Sequence, residues 1–171
     1  RLLRRVHRRL EENLDRILRY RAEGLDDADC LVLAYGITAR AARAAVRGLR
    51  ADGMRAGFLE LESLWPFPEA LVAEVAERVR CVLVPELNLG QLVWPVRAAV
   101  AGRAPVFSLG RADGKLFRPE EIAEAVRAAR RAGHRADDAA VPAPALGASR
   151  SEGRVPHKDR GSPASGGGGG T

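Results

Sequence analysis

CLVLAYGITARAARAAVRGLRADG, residues 30–53, decides the fold class. Its first six residues, Cys30–Tyr35, are almost continuously apolar, as a parallel strand covered on both faces should be. Gly36 permits a sharp turn, Thr38 is placed to cap a helix, and Ala42, Val46 and Leu49 then recur at helical spacing up to Gly53. The same strand-then-helix unit repeats downstream. AGFLEL (Ala56–Leu61), CVLVP (81–85) and PVFSL (105–109) are short β-prone runs. Pro68 and Glu69 open a helix with Leu71, Val72, Val75, Ala76 and Val79 inward. Pro119, Glu120 and Glu121 open the last, with Ile122, Val126 and Ala129 inward and Gly133 as its stop. An alternation of this kind predicts an α/β fold: a three-layer α/β/α, doubly wound, mostly parallel sheet.

Three zones follow. Residues 1–19 form an N-terminal linker helix, with Leu3, Val6, Leu10, Leu14 and Ile17 at steps of three and four. Residues 20–132 are the α/β domain. Residues 133–171, rich in Ala, Pro and Gly and ending in a glycine run, lack apolar periodicity and are expected to be a disordered tail. The chain begins with Arg rather than Met, so truncation is expected, and the sequence reads as the C-terminal piece of something larger.

The 171 residues carry a formal net charge of +6, two cysteines and 46% apolar residues. That apolar content supports one modest core. No stretch approaches the roughly 18 unbroken apolar residues of a membrane span, and a cytoplasmic location is expected. Cys30 and Cys81 each open an apolar run and form neither a CxxC motif nor a metal-ligand set; they are expected to be buried, reduced and inert. The arginines are spread over solvated helix faces (Arg40, Arg43, Arg47 and Arg50 on one) without interleaved aromatic residues, so nucleic acid is not an expected partner. A stand-alone basic module for an acidic protein or nucleic acid remains the alternative reading.

Open α/β sheets collect their functional loops at the carboxyl ends of the strands. GITAR follows the first strand and offers Gly36, Thr38 and Arg40. ELNLGQ follows the third, with Glu86 and Asn88 at the strand end, Asn88 placed to cap the next helix, and Gly90 and Gln91 in its first turn. On residue types alone these read first as turn glycine, cap and solvated charge, because neither loop holds a nucleophile with a base or a full glycine-rich fingerprint. No catalytic residue and no metal ligand is assigned. LWPFP, residues 64–68, restrains the backbone at two prolines and presents Trp65 and Phe67 after the second strand. Its rings either fill a gap in the core or cover a domain interface; in the second case Leu64 and Trp65 face the partner. Pro95 conflicts with a continuous helix after ELNLGQ, which must kink there or start later.

DDADCLVLAYGITAR, LWPFP, PELNLGQL and RADGKLFRPEEI, in this order and spacing, resemble the C-terminal domain of the alpha subunit of 2-oxoacid:ferredoxin oxidoreductases, the 2-oxoglutarate branch above all. The resemblance covers residues 6–132. It implies a transketolase C-terminal-like unit whose sheet begins with an antiparallel edge strand, making YRAEG a strand, and it places CLVLAY beside CVLVP. It also implies an enzyme that decarboxylates a 2-oxoacid oxidatively with CoA and reduces ferredoxin. Thiamine diphosphate, Mg2+ and an iron–sulfur cluster are implied for the full complex, none of them bound by this chain alone, and a beta subunit is implied as partner. The domain's implied role is structural and interface-forming, with Gly36, Thr38, Arg40, Glu86, Asn88, Gly90 and Gln91 as rim or interface residues.

Overall fold

A computed structural model of the chain describes residues 2–136. Eleven elements follow in order: α1 (Leu2–Glu11), α2 (Leu14–Ile17), β1 (Tyr20–Glu23), β2 (Cys30–Tyr35), α3 (Gly36–Ala51), β3 (Ala56–Leu61), α4 (Glu69–Ala76), β4 (Cys81–Glu86), α5 (Val93–Val100), β5 (Val106–Gly110) and α6 (Pro119–Ala136). The five strands form one sheet in the order β1-β3-β2-β4-β5. β1 runs antiparallel to β3, with Tyr20 opposite Leu61, and the other pairs are parallel. YRAEG is thus an edge strand, as the resemblance implies.

The period of two along the strands separates the core into two layers. Leu31, Leu33, Leu59, Val82 and Val84 point to one face, where α4 and α5 cover them with Val72, Val75, Val93, Val96 and Val100. Cys30, Val32, Ala34, Phe58, Cys81 and Leu83 point to the other, under Ala42, Val46 and Leu49 of α3 and Ile122, Val126 and Ala129 of α6. Handedness accounts for this division. The β2-to-β3 crossover advances in one direction and the β3-to-β4 crossover in the opposite one, so right-handed connections deliver their helices to opposite faces.

The first and last helices differ from expectation. The N-terminal helix breaks after Glu11 instead of running on to Leu18. Asn13 lies at the break and its Nδ2 donates to the Arg9 carbonyl at 2.7 Å, a local alternative to the helical ladder. Leu3 and Val6 of the expected inward stripe are exposed, and Leu10, Leu14 and Ile17 are half-buried. Gly133 does not stop α6, which continues to Ala136. A Cβ at Gly133 would stand 2.9 Å from the Arg80 carbonyl oxygen, so glycine lets the helix pass close over the start of β4. Apart from the short segment at 133–136, the expected tail lies outside the described residues.

Candidate functional site

The sheet reverses its winding direction between β2 and β4, and such a switch point opens a crevice outside the carboxyl ends of the strands. The pairing across it is short. β2 and β4 are in register only over Cys30–Val32 and 81–83, whereas β2 and β3 pair over six positions. Pro85 explains the early end. The Val82 N–H donates to the Pro105 carbonyl and the Glu86 carbonyl accepts from the Arg111 N–H, so the even positions of β4 bond toward β5. Alternation turns Pro85 toward β2, where it has no N–H to donate.

Side chains close the gap that the backbone leaves. Asn88 Nδ2 donates to the Tyr35 hydroxyl at 3.0 Å, tying the loop after β4 to the end of β2. GITAR and ELNLGQ therefore meet at one rim, as the resemblance implies. The Asn88 Oδ1 accepts from the Gly90 and Gln91 N–H groups at 2.8 and 2.9 Å. Asn88 thus holds the loop and does not cap the next helix, because α5 begins only at Val93; Gly90 and Gln91 lie in the loop and not in its first turn. The real cap comes from Glu86. This side chain is 0% exposed, and its carboxyl oxygens accept from the Leu92 and Val93 N–H groups at 2.7 and 3.2 Å. The late start also resolves the Pro95 conflict: Pro95 falls in the first turn, whose N–H groups have no intrahelical partner.

On the β2 side, α3 starts at Gly36, two residues before the expected Thr38 cap, with Tyr35 at the N-cap position. Gly36 has φ +56° and a Cβ there would meet nothing within 4 Å, so conformation and not space demands glycine. Thr38 is buried in the first turn. Arg40 is exposed, and among the described residues no hydrogen bond or ion pair holds it. The loop after β5 completes the rim with a crevice of about 580 Å³ whose lining includes Leu87, Leu89, Asn88, Gln91, Arg111 and Lys115. Arg111 lies 4.6 Å over the Phe117 ring and pairs with Glu121 at 2.7 Å. That guanidinium and the Arg118 N–H hold the Glu121 carboxyl far below the ordinary carboxylate range, at about 2.

LWPFP turns one of its two rings inward and leaves the other outside. Phe67 packs on the α4/α5 core layer, whereas Trp65 is 72% exposed and Leu64 is exposed beside it. Trp65–Pro66 is a cis peptide. A groove of about 850 Å³ runs from this turn past Leu10, Leu14 and Ala99. The other exposed apolar side chains of this edge also follow parallel strands: Ile37 after β2, Leu89 at 83% exposure after β4, and Leu116 after β5.

The arginine face of α3 is partly neutralised. Arg43 and Arg47 both bind Glu23, and Arg50 binds Asp27 at 2.9 Å. The Arg43 hydrogen bond holds the Glu23 carboxyl below its usual range. Glu23 and Asp27 thus offset half the charge of Arg40, Arg43, Arg47 and Arg50. Among the described residues no group of three or more His, Cys, Asp or Glu side chains is arranged to hold a metal ion, and no helix is long and apolar enough to cross a membrane.

An inactive tetramer of a split-gene transketolase shares this architecture, with a TM-score of 0.54 at 22% identity over 65% of this chain and 41% of that one. The class is therefore an α/β domain of transketolase-like fold. The chain belongs to the family described as pyruvate:ferredoxin oxidoreductase core domain II, whose model matches residues 28–122. It is 41% identical over 122 residues to the 2-oxoglutarate synthase subunit KorA of Methanothermobacter thermautotrophicus, covering 71% of this chain and 32% of that protein. A solved 2-oxoglutarate:ferredoxin oxidoreductase from Magnetococcus marinus, with 2-oxoglutarate, coenzyme A and succinyl-CoA bound, aligns at a TM-score of 0.63 and 28% identity over 70% of this chain and 21% of that one. The chain thus spans about a third of the length of the curated relative.

Proposed function

We propose that this chain is the C-terminal domain of the alpha subunit of a 2-oxoacid:ferredoxin oxidoreductase acting on 2-oxoglutarate. The complete cytoplasmic enzyme would decarboxylate the 2-oxoacid oxidatively with coenzyme A and pass electrons to ferredoxin. Within it this domain packs against the rest of the alpha subunit and against the beta subunit, and its rim shapes their common cleft. The observation that carries this role is the set of exposed apolar side chains in segments that follow the parallel strands, Ile37, Leu64, Trp65, Leu89 and Leu116, in a chain that spans about a third of a KorA relative.

The residues present do not fit the cofactors of that reaction. The two thiols, Cys30 and Cys81, are both buried and too few for a four-thiolate cluster. The sequence lacks a GDG-containing motif of the thiamine-binding kind. Gly36, Thr38, Arg40, Glu86, Asn88, Gly90 and Gln91 are accordingly assigned to shaping and supporting the rim, with no chemical step of their own. Affinity purification of the chain from its own cells tests the proposal. Recovery with the other 2-oxoacid:ferredoxin oxidoreductase subunits is expected. Recovery without them, or turnover of 2-oxoglutarate by the purified 171 residues alone, overturns it.

A further inference from the structure

Fifty-one positions separate Cys30 from Cys81 in sequence, and the sheet removes that separation. They are direct partners in the β2–β4 register, so both side chains leave the same face of adjacent strands. Neighbouring strands lie about 4.8 Å apart, inside the Cα separation that a disulfide spans. The Cys81 thiol already points at Cys30 Sγ across 2.9 Å, and both residues are 0% exposed.

We infer that Cys30 and Cys81 are a two-electron dithiol that closes to an intrachain disulfide on exposure to peroxide, stapling β2 to β4 at the amino end of the strand pair whose carboxyl end carries the rim. The Cys30 sulfur attacks one peroxide oxygen, breaks the O–O bond and forms a sulfenic acid; the departing hydroxide takes the thiol proton and leaves as water. The Cys81 sulfur then attacks the Cys30 sulfur, and the sulfenic oxygen leaves with the Cys81 proton as a second water. Two thiols and one hydrogen peroxide thus give one disulfide and two waters, with two electrons passing from sulfur to oxygen. The Cys81 thiol donates to Cys30 Sγ, and this hydrogen bond holds the Cys30 pKa down and favours it as the first nucleophile. α6 covers the pair where Gly133 passes close to the start of β4, so a small oxidant reaches the thiols only through local opening of that cover.

The experiment uses the reduced 171-residue chain, treated with hydrogen peroxide, denatured, alkylated and measured as intact protein and by peptide mapping. A mass loss of two hydrogens, no alkyl group taken up, a linked peptide pair carrying Cys30 and Cys81, and full reversal by dithiothreitol are expected. Cys30→Ser and Cys81→Ser should each abolish the linked pair. Two alkylated cysteines, oxygen addition at sulfur without a link, or a disulfide between two chains would overturn the inference, and the peptide map of the wild-type chain decides even where a serine variant does not fold.

Discussion

The two ends of the β2–β4 strand pair make opposite use of the same neighbours. At the amino end the backbone ladder is complete, the side chains facing each other are two buried thiols, and α6 passes close overhead at Gly133. At the carboxyl end Pro85 ends the ladder, and side chains take over: Asn88 reaches Tyr35, and buried Glu86 holds the start of α5. One end is fastened by backbone and the other by two polar side chains. The difference teaches where a single substitution acts most: at the amino end the backbone does the fastening whatever the side chain, whereas at the carboxyl end individual side chains carry it.

Removing Glu86 should break that division most severely. Glu86→Ala leaves two buried N–H groups without acceptors and opens a void, so urea denaturation should show a loss of about 2–4 kcal/mol. Glu86→Gln keeps one acceptor oxygen and should lose less than half as much. Were Glu86→Ala neutral, the carboxyl end would not depend on this cap. Asn88→Ala comes next, since it frees two loop N–H groups and the tie to Tyr35 at a partly exposed position. A loss of about 1–2 kcal/mol is expected in the same assay, with faster hydrogen exchange confined to residues 86–92. The smallest effect concerns pH. Arg111 and the Arg118 N–H depress the Glu121 carboxyl to about 2. Its stabilisation is therefore present above the ordinary carboxylate range and is lost as pH falls through that range toward 2. Glu121→Gln should flatten the thermal stability of the chain against pH in that window and nowhere above it.

Much of the sheet is legible in sequence. Cys30–Tyr35 and Ala56–Leu61 are strands with the expected bounds, and β4 runs one residue past the expected end at Pro85. Continuous apolar runs bounded by Gly, Pro and charged residues are strong signals, because a strand covered on both faces has no polar side to dilute the pattern. The candidate rim was legible in place but not in wiring. ELNLGQ marks a strand end, yet the cap expected of Asn88 falls to Glu86, while Asn88 organises the loop. A buried acid reads from sequence as a solvated charge, and only its two N–H donors six and seven residues on reveal otherwise. The LWPFP motif likewise announces a rigid apolar turn, but which ring turns inward depends on the α4/α5 layer beneath it.

By itself the sequence determined the α/β class, the alternation of strands and helices, the inward stripes of α3, α4 and α6, and the family. All of these follow from local periodicity and short motifs, which a linear chain displays directly. Only the tertiary structure decided that Cys30 faces Cys81, that Glu86 holds α5, that Trp65 stays exposed while Phe67 packs, and that Gly133 passes over Arg80 instead of ending a helix. Those facts depend on which strands become neighbours and which layer covers them, and crossover handedness and core packing settle that only when the whole sheet has closed.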